Sequence, residues 1–318
     1  MRLVFAGSGD IGVPTLTWLL RSRHRVEAVV TQPDKPVGRH QEMQFSEIKK
    51  LAIAAGIPVM QPERIRRSEA VQQLVDLSPQ VLVVIAYGQI LPRAVLDVPS
   101  VACLNLHASL LPKYRGAAPI QAAIESGDSY SGMTVMYMAE GLDTGDVLLE
   151  ETLPIRRRET GGSLHDRLAD LGPSALERAL DLLEAGFAPR VPQNEAMASY
   201  AGKLSRENGL IEWTSPEAVD RRVRAMNPWP GAYTGVPLAS GLRKLKVFSV
   251  IQSRTPSAGT PDGTVLAVER RGILVAAGKR AVWLTEVQLE GKRRLRAAEF
   301  LRGTPLVVGT VLAGAGLP

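Results

Sequence analysis

The chain has 318 residues, of which 45% are hydrophobic and 22% charged, as in ordinary soluble globular proteins. A single cysteine, Cys103, excludes an intramolecular disulfide and a cysteine-rich metal site. The opening apolar run MRLVFAG is too short for a signal-peptide core or a membrane span, so we expect a cytoplasmic protein.

Charge is divided unevenly along the chain, although the net charge of +6 is moderate. Residues 1–199 carry 20 Lys and Arg against 23 Asp and Glu, whereas residues 200–318 carry 18 against 9. The two parts therefore have net charges of −3 and +9. A basic C-terminal part indicates a polyanionic partner such as nucleic acid, and the alternative is a basic surface that only keeps the protein soluble.

Strand and helix patterns alternate over the first 190 or so residues, which is typical of a mainly parallel sheet covered by helices. In chain order, the predicted strands are 2–7, 25–32, 57–61, 81–87, 102–107 and 132–138. The predicted helices are 14–21, 45–55, 69–77, 120–126 and 163–184. We therefore predict an α/β domain with a Rossmann-like, mainly parallel sheet over residues 1–189.

The rest of the chain has a different pattern. Prolines, polar residues and little periodicity predict a linker over 190–208, and one further helix follows at 217–225. Short strands separated by Gly and Pro then follow at 245–250, 264–269, 272–277 and 281–289. Short strands at regular spacing favour a small, OB-like β-barrel, which we place at 209–318.

Gly7, Gly9 and Gly12 have the G-x-G-x-x-G spacing of a dinucleotide-binding turn after the first predicted strand. Such a site also needs an acidic residue roughly 20 residues later, at the end of the second strand, to hold a ribose hydroxyl. That strand ends TQPDKP, in which Asp34 is displaced between two prolines. We therefore interpret the glycines as a tight strand-to-helix turn and expect no NAD, with a nicotinamide dehydrogenase as the alternative.

Polar residues interrupt the predicted strand ACLNLH. Asn105 and His107 are two positions apart, so their side chains share one face of a regular strand. The strand ends there, and the carboxyl ends of strands are where ligands bind in open α/β sheets. Asp143 in GLDTGD could complete a His–Asp–Asn site, although a satisfied core histidine and an ordinary turn aspartate are the alternatives. The histidines and the one cysteine show no metal-ligand spacing, so we expect no metal.

Two segments, N-L-H-x-S-L-L-P-K-Y-R-G-A-A-P-I and G-L-D-T-G-D, resemble the formyltetrahydrofolate-dependent formyltransferases. TQPDKPVGR, VVIAYGQILP, YAGKLS and RAMNPWPGAY extend the resemblance over nearly the whole chain and favour the members that act on tRNA. The resemblance implies transfer of the formyl group of 10-formyltetrahydrofolate to the α-amino group of methionine on initiator tRNA, for translation initiation. It implies a catalytic trio of Asn105, His107 and Asp143, and a folate-binding segment of Ser109, Leu110, Leu111 and Pro112.

The residues suit that chemistry. Attack of an amine on a formyl carbon creates a developing oxyanion, which the Asn105 amide and a protonated His107 could stabilise. The amine must lose a proton and the folate nitrogen must gain one, and a histidine held by Asp143 could mediate that transfer. No covalent intermediate is required.

The resemblance also implies tRNA contacts. In the family, the loop corresponding to residues 33–46 is basic and inserts into the acceptor arm; here Arg39 fits, but HQEM follows where further lysines are expected. The run KRRLR at 292–296 would bind phosphates in a salt-sensitive way. The resemblance further implies a monomer. The candidate tRNA contacts, each of which could instead be a solvated surface charge, are Lys35, Arg39, Lys203 and Arg206.

Three other functions compete with this one. A sugar-nucleotide N-formyltransferase and a formyltetrahydrofolate hydrolase would share the trio of Asn105, His107 and Asp143. The basic second domain and the Arg39 loop argue against the first, and the tRNA-type barrel argues against the second. A non-catalytic RNA-binding protein would have no need of the intact trio.

Overall fold

A computed structural model describes residues 1–37, 42–239, 241–257 and 259–313, which fold into two compact units. The first unit comprises Met1–Pro119, Tyr130–Pro154 and His165–Ala201. The second comprises Ile120–Ser129, Ile155–Leu164 and the described residues from Gly202 onward. The predicted domain boundaries at 1–189, 190–208 and 209–318 stay a prediction. The two units divide the chain differently, because residues 190–201 lie in the first unit and two short segments from earlier in the chain lie in the second.

Residues 1–201 contain short strands alternating with helices. The strands are β1 (Arg2–Gly7), β2 (Arg25–Val30), β3 (Lys35–Val37), β4 (Glu42–Gln44), β5 (Val59–Met60), β6 (Val81–Ile85), β7 (Ala102–His107), β8 (Arg115–Gly116), β9 (Tyr130–Tyr137), β10 (Val147–Pro154) and β11 (Tyr200–Ala201). The helices are α1 (Val13–Leu19), α2 (Glu47–Ala54), α3 (Ser68–Leu77), α4 (Arg93–Leu96), α5 (Pro119–Ser126) and α6 (Gly161–Glu184).

Seven of these strands form one sheet in the order β10-β9-β7-β6-β1-β2-β5. The strands β7, β6, β1, β2 and β5 pair in parallel. At the other edge of the sheet, β9 pairs antiparallel with β7, and β10 pairs antiparallel with β9. Strands β6 and β7 are buried at every position, as in sheets covered on both faces. The predicted Rossmann-like, mainly parallel sheet is therefore confirmed, with an antiparallel edge that the sequence pattern did not predict.

The glycine-rich turn after β1 is held by close packing. Gly9 and Gly12 have φ angles of −85° and −82°, which any residue can adopt. A Cβ atom on Gly7, however, would lie 2.7 Å from Cε1 of Phe5 and 2.9 Å from the carbonyl oxygen of Ile85. The turn requires glycine because neighbouring atoms approach closely, and not because its backbone angles are unusual.

Helix α6 is the longest helix, with 24 residues, and extends the predicted 163–184 by two residues. Its buried apolar side chains recur at the three- and four-residue spacing of one helical face: Leu164, Leu168, Ala169, Ala175, Leu176, Ala179 and Leu180. Its other face is polar. Across the part of the chain that the structure describes, no helix is long and apolar enough to cross a membrane.

The second unit is dominated by an antiparallel sheet in the order β12-β13-β16-β15-β14, with β17 paired to β16. Its elements are α7 (Pro216–Ala225), β12 (Tyr233–Leu238), β13 (Gly241–Pro256), β14 (Val265–Glu269), β15 (Gly272–Ala277), β16 (Arg280–Leu289), β17 (Leu295–Arg296) and α8 (Ala297–Gly303). The segment 311–313 bridges both edge strands, because Gly235 pairs with Ala313 and Thr264 pairs with Val311. These bridges close the sheet, as predicted for a small barrel.

Candidate active site

Strand β7 carries two buried polar side chains at its carboxyl end. Asn105 and His107 are 8% and 7% exposed, and His107 is the last residue of the strand. The register with β9 is regular, since Asn105 pairs with Met136 and His107 with Thr134. The two side chains therefore lie on the same face, as the two-residue spacing predicts.

The imidazole of His107 faces an oxygen atom at each nitrogen. Nε2 lies 2.9 Å from the main-chain carbonyl oxygen of Tyr114, and Nδ1 lies 3.7 Å from Oδ2 of Asp143. Because a carbonyl oxygen can only accept, Nε2 carries a hydrogen and donates it. In the neutral ring the lone pair is then on Nδ1, so Nδ1 is the atom that can take up or release a proton facing the Asp143 carboxylate.

Asp143 lies in the loop between β9 and β10, with a positive φ of 53°. Its Oδ2 accepts a hydrogen bond of 2.8 Å from the main-chain N–H of Gly116. Gly116 has a φ of 112°, and a Cβ there would lie 2.6 Å from the carbonyl oxygen of Ala201. Only glycine fits this position, and its amide fixes the carboxylate that faces His107. Sequence reasoning did not identify Gly116 as a site residue, although the glycine that directly follows YR could have been recognised as a candidate.

The Asn105 amide is positioned to meet a substrate. Within the described residues, no hydrogen bond to this side chain is present, although the residue is buried. The amide therefore suits an oxygen atom that a substrate brings beside His107.

The segment after β7 is tied down through its main chain. The Thr134 hydroxyl donates to the Ser109 carbonyl oxygen at 2.6 Å and accepts from the Leu111 N–H at 3.2 Å. The Ser109 hydroxyl donates to the Lys113 carbonyl oxygen at 2.7 Å. Ser109 and Leu111 are buried, and Leu110 and Pro112 are partly buried. The four predicted folate-binding residues thus form one ordered turn that follows directly on the strand of Asn105 and His107.

The four predicted tRNA contacts are not tested by this arrangement. Lys35 is exposed on β3 in the first unit, and Lys203 and Arg206 are exposed in the second. Arg39 lies outside the described residues. The structure brings His107 and Asp143 together beside Asn105, whereas these basic residues remain predictions.

The barrel unit contains an arginine-lined cavity of about 570 Å³. Its lining residues are Ser249, Arg270, Arg271, Thr285, Glu286, Arg296, Ala298, Glu299 and Arg302. Of the run at 292–296, only Arg296 lines the cavity. Arg294 instead donates two hydrogen bonds to Glu286, of 2.8 and 2.6 Å. Sequence reasoning singled out the run and missed Arg270, Arg271 and Arg302, which stand in other elements and converge only in the fold.

Comparison with known families agrees with this organisation. A family model described as formyl transferase matches residues 1–180. A second model, described as formyl transferase, C-terminal domain, matches residues 203–305. The two matches together cover both the buried site and the barrel.

Similar curated proteins match along nearly their whole length. A methionyl-tRNA formyltransferase of Methylacidiphilum infernorum is 50% identical over 315 residues, which is 98% of each chain. A methionyl-tRNA formyltransferase of Moorella thermoacetica is 45% identical, over 98% of this chain and 99% of the relative.

Solved structures share the fold at low identity. HypX from Aquifex aeolicus, in complex with tetrahydrofolic acid, superposes with a TM-score of 0.61 at 21% identity, over 95% of this chain and 47% of HypX. WlaRD, a sugar 3N-formyl transferase, superposes with a TM-score of 0.63 at 15% identity, over 92% of this chain and 99% of WlaRD. The chain therefore belongs to the formyl transferase family, in which it is similar over nearly its whole length to the methionyl-tRNA formyltransferases.

Proposed function

We propose that the chain transfers the formyl group of 10-formyltetrahydrofolate to the α-amino group of methionyl initiator tRNA, giving N-formylmethionyl-tRNA. The observation that carries this is the end-to-end similarity to methionyl-tRNA formyltransferases, at 50% identity in one case. Asn105, His107 and Asp143 would supply the chemistry that a formyl transfer needs. Sugar formyltransferases share only the fold, at 15% identity in the case of WlaRD.

In this proposal, Asn105, His107 and Asp143 are the catalytic residues. The acceptor amine forms a bond to the formyl carbon, and the bond from that carbon to the folate nitrogen breaks. The Asn105 amide donates to the oxygen on which negative charge develops. His107 receives the proton of the amine at Nδ1 and returns it to the leaving folate nitrogen, while its Nε2 stays bound to the Tyr114 carbonyl. Asp143 stabilises the transient imidazolium.

The turn formed by Ser109, Leu110, Leu111 and Pro112 would hold the folate. Two hydrogen bonds to Thr134 fix its main chain, so its apolar side chains form a surface that needs little reordering when the ligand binds. The Ser109 hydroxyl donates its hydrogen bond to the Lys113 carbonyl oxygen, and this contact argues against Ser109 as a nucleophile.

The barrel would supply affinity for the tRNA. Four arginines line its cavity, and guanidinium groups suit the phosphates of an RNA backbone. Lys35, Arg39, Lys203 and Arg206 are proposed as further contacts. All of these are charge contacts that do not distinguish sequence, so their contribution should weaken as salt concentration rises.

The decisive experiment is incubation of the purified protein with 10-formyltetrahydrofolate and radiolabelled methionyl initiator tRNA, followed by detection of formylmethionine. Formation of the product supports the proposal. Consumption of the folate without that product would indicate the hydrolase or another amine acceptor. If neither occurs, the proposed function is wrong.

A further inference from the structure

The catalytic loop of Asp143 depends on contacts from a distant part of the first unit. Asp143 has left-handed backbone angles, and its neighbours Gly141 and Leu142 are exposed. The loop has no regular strand pairing of its own between Tyr137 and Val147. Something else must fix where the carboxylate lies, because the distance from Asp143 to His107 decides whether the pair can work.

Gln193 supplies two of those contacts. Its side-chain nitrogen donates to the carbonyl oxygens of Asp143 and Gly145, at 2.8 Å in each case. One amide thus binds two carbonyl oxygens of the loop that carries the catalytic carboxylate. Gln193 stands in the irregular segment between α6 and β11, 50 residues beyond Asp143.

Arg115 fixes which way the Gln193 amide faces. The side-chain oxygen of Gln193 accepts from Nε and Nη2 of Arg115, at 3.1 and 2.8 Å. Since a guanidinium can only donate, the amide nitrogen must point the other way, toward the loop. The donor arrangement at Asp143 is therefore determined by the arginine.

Arg115 is itself fully buried and held by a carboxylate. Its Nη1 and Nη2 donate to the two oxygens of Glu195, at 2.8 and 2.7 Å. These charge-assisted bonds raise the pKa of the Arg115 guanidinium above its ordinary value. A buried charge is tolerated only when it is paired in this way, so the orientation of Arg115 is strongly constrained.

We propose that Gln193 is a positioning residue for formyl transfer, which holds the 143–145 loop so that the Asp143 carboxylate meets Nδ1 of His107, with the Arg115–Glu195 pair setting its orientation. The proposal rests on the proposed function above. Gln193 touches no reacting atom; it acts through Asp143. The chain thus uses residues after its longest helix to complete a site that begins on β7.

The test compares Gln193→Met and Gln193→Glu with the wild-type protein. Methionine keeps the length of the side chain but removes both donors. Glutamate keeps an acceptor for Arg115 but turns an anionic oxygen toward the two loop carbonyls. We expect kcat for formylation to fall about 10- to 100-fold, since a misplacement of about 1 Å can cost about 100-fold. KM for 10-formyltetrahydrofolate and for the tRNA should stay within about twofold, because the variants leave the binding residues in place.

A double-variant cycle separates positioning from general damage. If Gln193 acts through Asp143, adding Gln193→Met to Asp143→Asn should slow the reaction no further. Gln72→Met is the matched control, since the Gln72 amide donates one hydrogen bond to Asp76 on an exposed face of α3 and should leave kcat unchanged.

Three outcomes would overturn the proposal. They are an unchanged kcat in both folded variants, multiplicative effects in the cycle, or loss of the thermal unfolding transition in both variants, which would make Gln193 a purely structural residue. Absence of formylmethionine with the wild-type protein would instead refute the proposed function, so the two failures are distinguishable.

Discussion

The two units use charged and polar groups in opposite ways. In the first, the polar groups of the site are buried or partly buried and held at fixed distances, as when Gly116 donates to Asp143 at 2.8 Å. In the second, Arg270, Arg271, Arg296 and Arg302 are exposed around an open cavity. The first arrangement suits a reaction, which needs groups in place before charge develops. The second arrangement suits binding of a polyanion, because many hydrated charges attract it without having to be placed exactly. Variants of Asn105, His107 and Asp143 should therefore change kcat, and variants of the cavity arginines should change KM and its salt dependence.

The sharpest contrast should come from His107→Ala. Loss of the only group proposed to carry the proton should lower kcat about 10²- to 10⁴-fold, with the unfolding temperature little changed. Single-turnover formylation measures this effect. His165→Ala is the control, because among the described residues His165 pairs only with its exposed neighbour Asp166. Near-normal turnover of His107→Ala would remove the residue from the mechanism.

Asp143→Asn should have the next largest effect. The amide keeps the shape of the side chain but removes the negative charge 3.7 Å from Nδ1 of His107. We expect kcat to fall about 10²- to 10³-fold, within the range found for preorganised electrostatic groups, with both KM values nearly unchanged. Asp166→Asn alters a similar His–Asp pair on the surface and should leave kcat intact. Equal rates for the two variants would make Asp143 a simple turn residue.

Neutralising the barrel should give the opposite signature. In Arg270→Gln/Arg271→Gln, we expect KM for the tRNA to rise several-fold while kcat holds. The plot of log affinity against log salt concentration should become shallower by about 1 for each phosphate that the barrel no longer neutralises. Arg93→Gln is the matched control, since Arg93 is exposed in the first unit and pairs with Asp97. An unchanged salt slope would show that the cavity does not bind RNA.

The smallest effect should come from Cys103, which is buried in the first unit without taking part in the site. Burial raises the pKa of its thiol to about 12, so the reactive thiolate is scarce at pH 8 and increases only as the pH approaches that value. The native protein should resist iodoacetamide at pH 8, as measured by intact mass, while denatured protein reacts. Cys103→Ser should keep full activity. Rapid alkylation of the native protein at pH 8 would contradict the buried position.

Sequence patterns predicted the parts whose physical cause is local. The continuous apolar run VLVVI and the mostly apolar segment ACLNLH predicted two central strands, and the spacing of Asn105 and His107 predicted a shared face. Strand β10 was missed because VLLEETLP alternates imperfectly at a half-exposed edge. The two-residue pairing of β8 with β11 was missed because its partners are far apart in the chain.

The unpredicted parts of the site come from main-chain groups and distant contacts. His107 is held by the carbonyl of Tyr114, which any residue type could supply. The pattern GLDTGD made Asp143 a candidate with an ordinary turn residue as the alternative, and the resemblance then implied that it joins the site. Gln193 gave no signal at all, since a glutamine in an irregular segment is ordinary until Arg115 and the loop carbonyls are seen around it.

The closure of the barrel by residues 311–313 has a consequence for how the chain is made. Strand β12 leaves the ribosome well before the segment that covers its free edge. The Thr234 hydroxyl of β12 donates to the carbonyl oxygen of Ala313, which lies 79 residues later in the chain. Until then, Gly235 of β12 and Val265 of β14 lack their later backbone partners, Ala313 and Thr310, and unpaired strand edges invite pairing with other chains. A ribosome that stalls between these points would hold a half-built barrel with two exposed edges, a natural substrate for chaperones that shield nascent strands.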